Sequence, residues 1–402
     1  MRPLRFVTAG SVDDGKSTLM GRLLLDTHSI PRDQLKANQN LAELVDGLRE
    51  EREAGITIDV AYRYFSTEKR RFVIADSPGH FEYVRNMVTA TTHADALILL
   101  VDVELGLREQ TVRHAWIARW LGVQNILVCV NKMDRVAYSR AKYEERVREV
   151  QSKLASIISP ELQIMPISAL TGECVVRGSD QLSWYTGPSV LQWLEGVNAV
   201  SSLAQSPARF RVQFGLNDQF QRAKSEAKHL FGDWVGGTFQ PGTPMSLDGF
   251  RAFSTDGEEQ FSENRTAGRI ELSSALQTET PNWVYEKARP MHESDQWQVE
   301  ICWLSDKAVD ARNRGTIRHG SQTVGVSDFC VERSFDFETF HWQDSADQKI
   351  GMNQVVSGVL KLDQRILADL FHGNPLTSGF AWVDPVSGDT VAVGKFSGAV
   401  KS

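Results

Sequence analysis

Cysteine is scarce in this chain, and no apolar run is long enough to cross a membrane. The 402 residues include four cysteines, Cys129, Cys174, Cys302 and Cys330, and none of them is paired at a metal-ligand spacing. We therefore expect free thiols in a reducing, cytoplasmic setting rather than a disulfide scaffold. The first five residues lead straight into a predicted strand, so we expect neither a signal peptide nor a membrane anchor.

Positive charge is not in excess either. Lys and Arg number 44 against 51 Asp and Glu, which gives a formal net charge of −7. Nucleic-acid-binding proteins generally show a basic excess, so this balance predicts no nucleic-acid partner, although one local basic patch stays possible. The sequence contains no internal repeat and no low-complexity tract. Its length suffices for two or three domains, each with its own core.

The most informative stretch is the segment GSVDDGKS at residues 10–17, which fits the phosphate-binding pattern G-x-x-x-x-G-K-[ST]. Residues 5–9 before it are typical of a strand, and residues 19–25 after it predict a helix. Such a unit directs backbone N–H groups and a helix N-terminus at an anion. We expect Lys16 to reach the β- and γ-phosphates and Ser17 to ligate Mg²⁺. The nucleotide-binding residues predicted here are Gly10, Ser11, Val12, Asp13, Asp14, Gly15, Lys16, Ser17 and Thr18.

Three further segments follow apolar strand patterns, in the order that a guanine-nucleotide switch protein requires. In DSPGH at residues 76–80, Asp76 would hold Mg²⁺ through water and the N–H of Gly79 would bind the γ-phosphate. In NKMD at residues 131–134, the carboxylate can accept two hydrogen bonds from guanine, a donor pair that adenine lacks. Together with SAL at residues 168–170, which would back the base, these segments predict a GTPase domain. The predicted guanine-side residues are Asn131, Lys132, Asp134, Ser168, Ala169 and Leu170.

Two residues are predicted to act on the γ-phosphate side. Thr57, in the segment EAGITID at residues 53–59, would ligate Mg²⁺ only while the γ-phosphate is bound, as in order–disorder switches. His80 would orient the attacking water, and the alternative for it is an exposed loop histidine. With Lys16 these residues form the predicted catalytic set.

The predicted secondary-structure pattern changes near residue 200. Before that point strand and helix patterns alternate, which predicts an α/β domain over residues 1–200 with a doubly wound, mostly parallel sheet. The nucleotide is expected at the carboxyl ends of its strands. Residues 187–194 predict the last helix of this domain, with Pro188 near its start. A linker is predicted at residues 201–207.

Short strands and turns dominate the remainder, which predicts β structure. Its division into two β-barrel-like domains, at residues 207–289 and 290–402, is implied by a family resemblance. In the second domain, residues 297–303 alternate as a half-buried strand. Residues 380–383 and 390–393 flank a turn at Asp384 and predict a hairpin. The aromatic and valine residues here are interpreted as barrel core.

These motifs resemble the translation-factor superfamily of GTPases, which join a GTPase domain to two β-barrels. Within it, the chain resembles the GTPase subunit of bacterial heterodimeric sulfate adenylyltransferase. Elongation factors usually carry histidines where this chain has Ser11 and Asp14, and residues 51–65 look like that subunit's switch region almost letter for letter. Residues 374–380 and Asp384 look like the family's final barrel.

The middle of the chain departs from this resemblance. Ser77 stands where the family has threonine, and only fragments at residues 236–238 and 240–242 look like the usual first barrel. We therefore expect a divergent first barrel. The charged segment at residues 219–233 is predicted to form a helix or a loop.

The resemblance implies a division of labour. A separate small catalytic subunit would bind ATP and sulfate and form adenosine 5′-phosphosulfate and pyrophosphate. GTP hydrolysis on this chain would supply the free energy that drives this reaction. It implies GTP and Mg²⁺ as ligands and a heterodimer or higher hetero-oligomer. The sequence agrees, because it contains one complete nucleotide-binding signature and no second one.

Two other interpretations stay open from the sequence. The shared fold also suits a translation-type GTPase that binds tRNA or the ribosome, although the Asp13-Asp14 pair and the acidic charge speak against it. A divergent paralogue that serves as a GTP-dependent regulatory partner is the third. Co-purification of a small ATP-binding protein, of RNA, or of neither separates the three.

Overall fold

The protein is described from a computed structural model. The structure describes residues 3–30, 41, 61–76, 84–92, 94–155, 157–158, 162–198, 207–217, 228–235, 245–247, 250–253, 267–272, 282–286, 288–306, 309–310, 315–345, 349–372 and 377–400. The chain divides into two compact units, Met1–Ala199 and Val200–Ser402. No helix in the described ranges has the length and apolar character that a membrane span requires.

The first unit is built on one six-stranded sheet. Its strands are β1 (Leu4–Ala9), β2 (Ala61–Ser66), β3 (Arg71–Asp76), β4 (Ala96–Asp102), β5 (Asn125–Asn131) and β6 (Gln163–Pro166). Its α-helices are α1 (Lys16–Asp26), α2 (Val84–Thr91), α3 (Glu109–Trp120), α4 (Arg140–Leu154) and α5 (Val190–Gly196), and a 3₁₀ helix covers Met133–Val136. The strand order is β2-β3-β1-β4-β5-β6.

All pairings of this sheet are parallel except the β2–β3 hairpin. Every residue of β4 is buried, as expected for an interior strand of a parallel sheet that is covered on both faces. Strand β1 lies between β3 and β4, so the chain changes direction across the sheet at the end of β1. A ligand of such a sheet binds at that crossover, beyond the carboxyl ends of the strands. The predicted α/β fold class is confirmed.

The first part of the second unit is a six-stranded antiparallel sheet with the order β10-β9-β12-β7-β8-β11. Its strands are β7 (Arg209–Asn217), β8 (Lys228–Trp234), β9 (Met245–Leu247), β10 (Phe250–Phe253), β11 (Ala267–Leu272) and β12 (Trp283–Glu286). The prediction of a helix or loop over residues 219–233 is wrong for residues 228–233, which form strand β8, and residues 219–227 lie outside the described residues. Strand β8 pairs with β7 on one side and β11 on the other, and this tertiary pairing overrides the charged composition.

The second part is a closed barrel. Its sheet contains β13 (His292–Trp303), β15 (Thr316–His319), β16 (Gln322–Asp336), β17 (His341–Asp344), β19 (Val355–Ala368), β20 (Gly379–Val383) and β21 (Thr390–Ala399). A separate two-stranded sheet pairs β14 (Val309–Asp310) with β18 (Lys349–Ile350). The strand order β15-β20-β21-β13-β19-β16 closes through the β15–β16 pairing, which gives a barrel of six strands. The predicted hairpin is confirmed, because β20 and β21 pair antiparallel and Asp384 accepts the N–H groups of Val386 and Ser387 in the turn.

A buried ion pair joins the two β-structured parts of the second unit. Arg209, at the start of β7, is 1% exposed and donates from Nε and Nη2 to the two oxygens of Asp369, each at 2.8 Å. Thr377 donates its hydroxyl to the same carboxylate at 2.5 Å. Nearby, Trp283 packs against His319 with ring centroids 5.5 Å apart. The contact is therefore both ionic and aromatic.

Candidate functional site

The glycine-rich loop connects β1 to α1, as predicted. Gly15 caps the helix with φ 95°, and Asp13 also adopts a left-handed conformation with φ 65°. A side chain at Gly15 would meet the Nδ2 atom of Asn131 at 2.4 Å, so both the backbone angle and the space at this position require glycine. These turns curl the loop around the N-terminus of α1, where backbone N–H groups suit an anion.

Lys16 lies inside this loop. Its ammonium donates to the carbonyl oxygens of Ser11 at 2.8 Å and Gly10 at 3.3 Å, and the side chain is buried. Burial lowers the pKa of Lys16, while the carboxylates of Asp76 and Asp14 act in the opposite direction. The loop therefore holds a cation at its centre, which is the chemistry that a polyphosphate requires.

Ser17 and Asp76 come together at the predicted magnesium position. The Ser17 hydroxyl donates to Oδ2 of Asp76 at 3.1 Å, and the hydroxyl of Thr8 donates to Oδ1 at 3.2 Å. Hydroxyl and carboxylate oxygens are the hard donors that Mg²⁺ prefers, so this pair fits the ion. The sequence did not predict Thr8, which reaches Asp76 because β1 and β3 pair in register at these residues.

Asn131 connects the three nucleotide segments. Its Nδ2 donates to the carbonyl of Asp14 at 2.8 Å, and its Oδ1 accepts the N–H of Ala169 at 3.0 Å. The phosphate loop, the 131–134 segment and the 168–170 segment therefore share one buried side chain. The order of these segments along the chain predicted that they meet, and the structure brings them into direct contact.

The guanine-side residues surround this asparagine. The Ser168 hydroxyl donates to Oδ1 of Asp134 at 2.5 Å, which fixes the carboxylate. Lys132 adopts φ 64° and pairs with the buried Asp102 at 2.8 Å, and the Leu170 side chain is 60% exposed beside the loop. Asp102, at the end of β4, was missed by sequence reasoning because no motif includes it.

Asp14 is the most constrained carboxylate of the site. It is fully buried, and Oδ2 accepts the N–H of Ser11 at 2.7 Å. Among the residues that the structure describes, no donor reaches its Oδ1. Burial raises the pKa of Asp14 to about 6, against the lowering effects of the Ser11 N–H, Lys16 and Arg108.

Residues of α3 and its N-terminal flank line the other side of the loop, and sequence reasoning missed them. The Thr111 and Ser11 hydroxyls are 2.9 Å apart, and Arg108 donates from Nη1 to the carbonyl of Val12 at 3.2 Å. His114 is fully buried, and burial lowers its pKa to about 3, so the ring stays neutral. These contacts depend on the packing of α3, which no local pattern predicts.

Three predicted residues lie outside the described residues. They are Thr57, Gly79 and His80. Their roles toward the metal, the γ-phosphate and the attacking water stay predictions. Thr18, in the first turn of α1, is described and half-buried.

The fold and the site define a P-loop GTPase of the translation-factor type. In agreement, residues 1–207 match the elongation factor Tu GTP binding domain family, and residues 296–397 match the GTP-eEF1A C-terminal domain-like family. The chain belongs to the sulfate adenylyltransferase subunit 1 family within these GTPases, as its curated relatives show.

Two curated relatives illustrate the family match, and one solved structure shows a more distant similarity. Sulfate adenylyltransferase subunit 1 of Aliivibrio fischeri strain ES114 is 34% identical, over 97% of this chain and 85% of the relative. The bifunctional enzyme CysN/CysC of Mycobacterium tuberculosis strain H37Rv is also 34% identical, over 97% of this chain and 66% of the relative. The structure of sup35 complexed with GDP is 21% identical with a TM-score of 0.42, covering 100% of this chain and 95% of that chain.

Proposed function

We propose that this chain is the GTP-hydrolysing subunit of a sulfate adenylyltransferase. In this role it couples GTP hydrolysis to the formation of adenosine 5′-phosphosulfate from ATP and sulfate. The observation that carries the proposal is the pair of hydrogen bonds made by Asn131. This residue of the 131–134 segment bonds to the phosphate loop and to the 168–170 segment. A family relationship at 34% identity over nearly the whole chain supports the coupled reaction.

Different described residues bind different parts of the nucleotide in this proposal. The loop and Lys16 bind the phosphates, and Asp134 accepts hydrogen bonds from guanine while Ser168 holds its carboxylate in place. Ser17 and Asp76 would hold Mg²⁺, which would neutralise phosphate charge. Thr57 and His80 complete the γ-phosphate side in this proposal.

The adenylyl transfer itself belongs to a partner. The sequence has one nucleotide signature, and its residues are committed to guanine, so ATP and sulfate bind to a separate small catalytic subunit. The name of the relatives, sulfate adenylyltransferase subunit 1, supports such a partner. We place the chain in a cytoplasmic heterodimer or higher hetero-oligomer, without a nucleic-acid partner.

An orthogonal nucleotide tests the coupling. Asp134→Asn turns an acceptor pair into a donor and an acceptor, which suits xanthine instead of guanine. Loss of the hydrogen bonds to this charged group should weaken GTP binding by about 3 kcal/mol, or roughly 100-fold in affinity. We measure pyrophosphate release from ATP and sulfate with the reconstituted complex. Wild type is expected to respond to GTP, and the Asp134→Asn complex to XTP.

Asp328→Asn is the matched control, because this exposed aspartate lies on the C-terminal barrel. It should keep the GTP response. If the rate of product formation by the reconstituted wild-type complex does not depend on GTP, the coupling is refuted. Co-purification of RNA instead of the small subunit would favour a translation-type GTPase.

A further inference from the structure

Arg108 lies where its side chain meets the phosphate-binding loop from outside. It directly precedes α3, in the connection that leaves the carboxyl end of β4. Its Nη1 donates to the carbonyl oxygen of Val12, in the middle of the loop, at 3.2 Å. The loop is therefore bordered by two cations, Lys16 from within and Arg108 from the rim.

Arg108 forms no salt bridge in the described part of the chain, although its charge acts to lower the pKa of the buried Asp14 carboxyl. Its hydrogen-bond acceptor there is the neutral carbonyl of Val12, and the side chain is half-buried. Lys132, at the same edge of the sheet, is by contrast paired with Asp102 at 2.8 Å. Arg108 also lies close enough to Lys16 to lower the pKa of that lysine further. The carboxylates of Asp76 and Asp14 offset this repulsion at Lys16, and a bound phosphate would offset it further.

We propose that Arg108 is a catalytic residue of GTP hydrolysis, an arginine supplied in cis that neutralises charge on the transferring phosphoryl group. In this step the water oxygen forms a bond to the γ-phosphorus, and the bond from the γ-phosphorus to the β–γ bridging oxygen breaks. The bridging oxygen keeps the electron pair as part of GDP, and the proton of the water passes to the phosphate product. Arg108 stays protonated throughout, and a planar guanidinium with five donors suits this dispersed charge.

The competing role for Arg108 is a structural anchor that holds the Val12 carbonyl. The two roles differ in what they change. A transition-state cation alters turnover and leaves ground-state GTP binding nearly intact, whereas an anchor alters the loop and hence both. Kinetics and binding must therefore be measured on the same variants.

The experiment uses the full chain with Arg108→Ala and Arg108→Lys. Single-turnover GTP hydrolysis of Arg108→Ala is expected to slow by about 10³-fold, the lower end of what an arginine finger contributes. Affinity for a fluorescent non-hydrolysable GTP analogue should stay unchanged. Free guanidinium ion should restore part of the rate to Arg108→Ala, and Arg108→Lys should retain an intermediate rate.

A binding measurement without turnover completes the test. Aluminium fluoride with GDP imitates the planar phosphoryl group, so wild type should bind fluorescent GDP more tightly when it is added, and Arg108→Ala should not. Arg119→Ala is the control, because Arg119 lies exposed in the last turn of α3. An unchanged rate in Arg108→Ala would overturn the proposal. Parallel loss of rate and GTP-analogue affinity, without rescue by guanidinium, would overturn it in favour of the anchor.

Discussion

At the scale of single residues, Asp14 sets a pH dependence of stability. An aspartate ordinarily titrates near 3.8, and burial raises the pKa of Asp14 in the folded chain to about 6. The folded state therefore holds this proton more tightly than the unfolded state. The resulting stabilisation is complete below pH 3.8 and is lost as the pH rises through 6. Ionised Asp14 then costs about 3 kcal/mol relative to its protonated form.

Asp14→Asn should remove this dependence. The amide oxygen can still accept the N–H of Ser11, but no charge has to be buried. At pH 7.5 we expect the free energy of unfolding to rise by up to about 3 kcal/mol, with the gain vanishing towards pH 4. Urea unfolding of both proteins at a series of pH values measures this difference in the free energy of unfolding. Asp13→Asn, at the exposed neighbour, is the control. A gain of equal size at every pH would contradict the assignment to charge burial.

At the scale of elements, the sequence predicted those parts that local patterns determine. The strand–loop–helix around Lys16, the alternation of strands and helices and the hairpin at Asp384 all carry short-range signals, and the structure contains them. Strand β8 was missed, because its backbone pairing with two neighbours is not visible in its charged side chains. The site divides likewise: motif residues were predicted, whereas Thr8, Asp102 and Arg108 join it only through sheet register and helix packing.

Helix α5 offers an element-level test. Ser189 is 1% exposed; its hydroxyl accepts the N–H of Gln192 at 3.3 Å and donates to the carbonyl of Val176 at 3.0 Å. The Gln192 side chain bonds back to the Ser189 N–H at 2.9 Å, which completes a capping box. Ser189→Ala should cost about 1–2 kcal/mol in urea unfolding. Ser152→Ala, at an exposed position in α4, should change little, and an equal loss in both variants would contradict the role of the cap.

At the scale of the whole molecule, a buried ion pair links the two β-structured parts of the second unit. Arg209 and Asp369 form a bidentate pair that is almost completely removed from water. Such a pair adds little net stability over an apolar replacement, since desolvation offsets attraction. Removing one partner is different, because the other charge is then buried alone.

A double-mutant cycle measures this asymmetry. Arg209→Met and Asp369→Leu should each lower the free energy of unfolding by about 3–5 kcal/mol, and the double variant should lose less than the sum. Arg211→Met is the control, since the pair of Arg211 with Asp233, also 2.8 Å long, is more exposed and should contribute about 0–1 kcal/mol. Additive losses would show that the two side chains act independently.

The central position of β1 has a consequence for how the chain folds during synthesis. This strand is synthesised well before both of its neighbours in the sheet: Leu4 pairs with Phe72, and Phe6 pairs with Ala96. Until β4 has emerged, the apolar strand has no complete place in a sheet. Contacts of such long sequence separation form slowly, and the waiting strand is exposed to wrong partners. We therefore expect the sheet of the first unit to close only after β4 has been synthesised, whereas the local hairpin of β20 and β21 can form as soon as both strands are made.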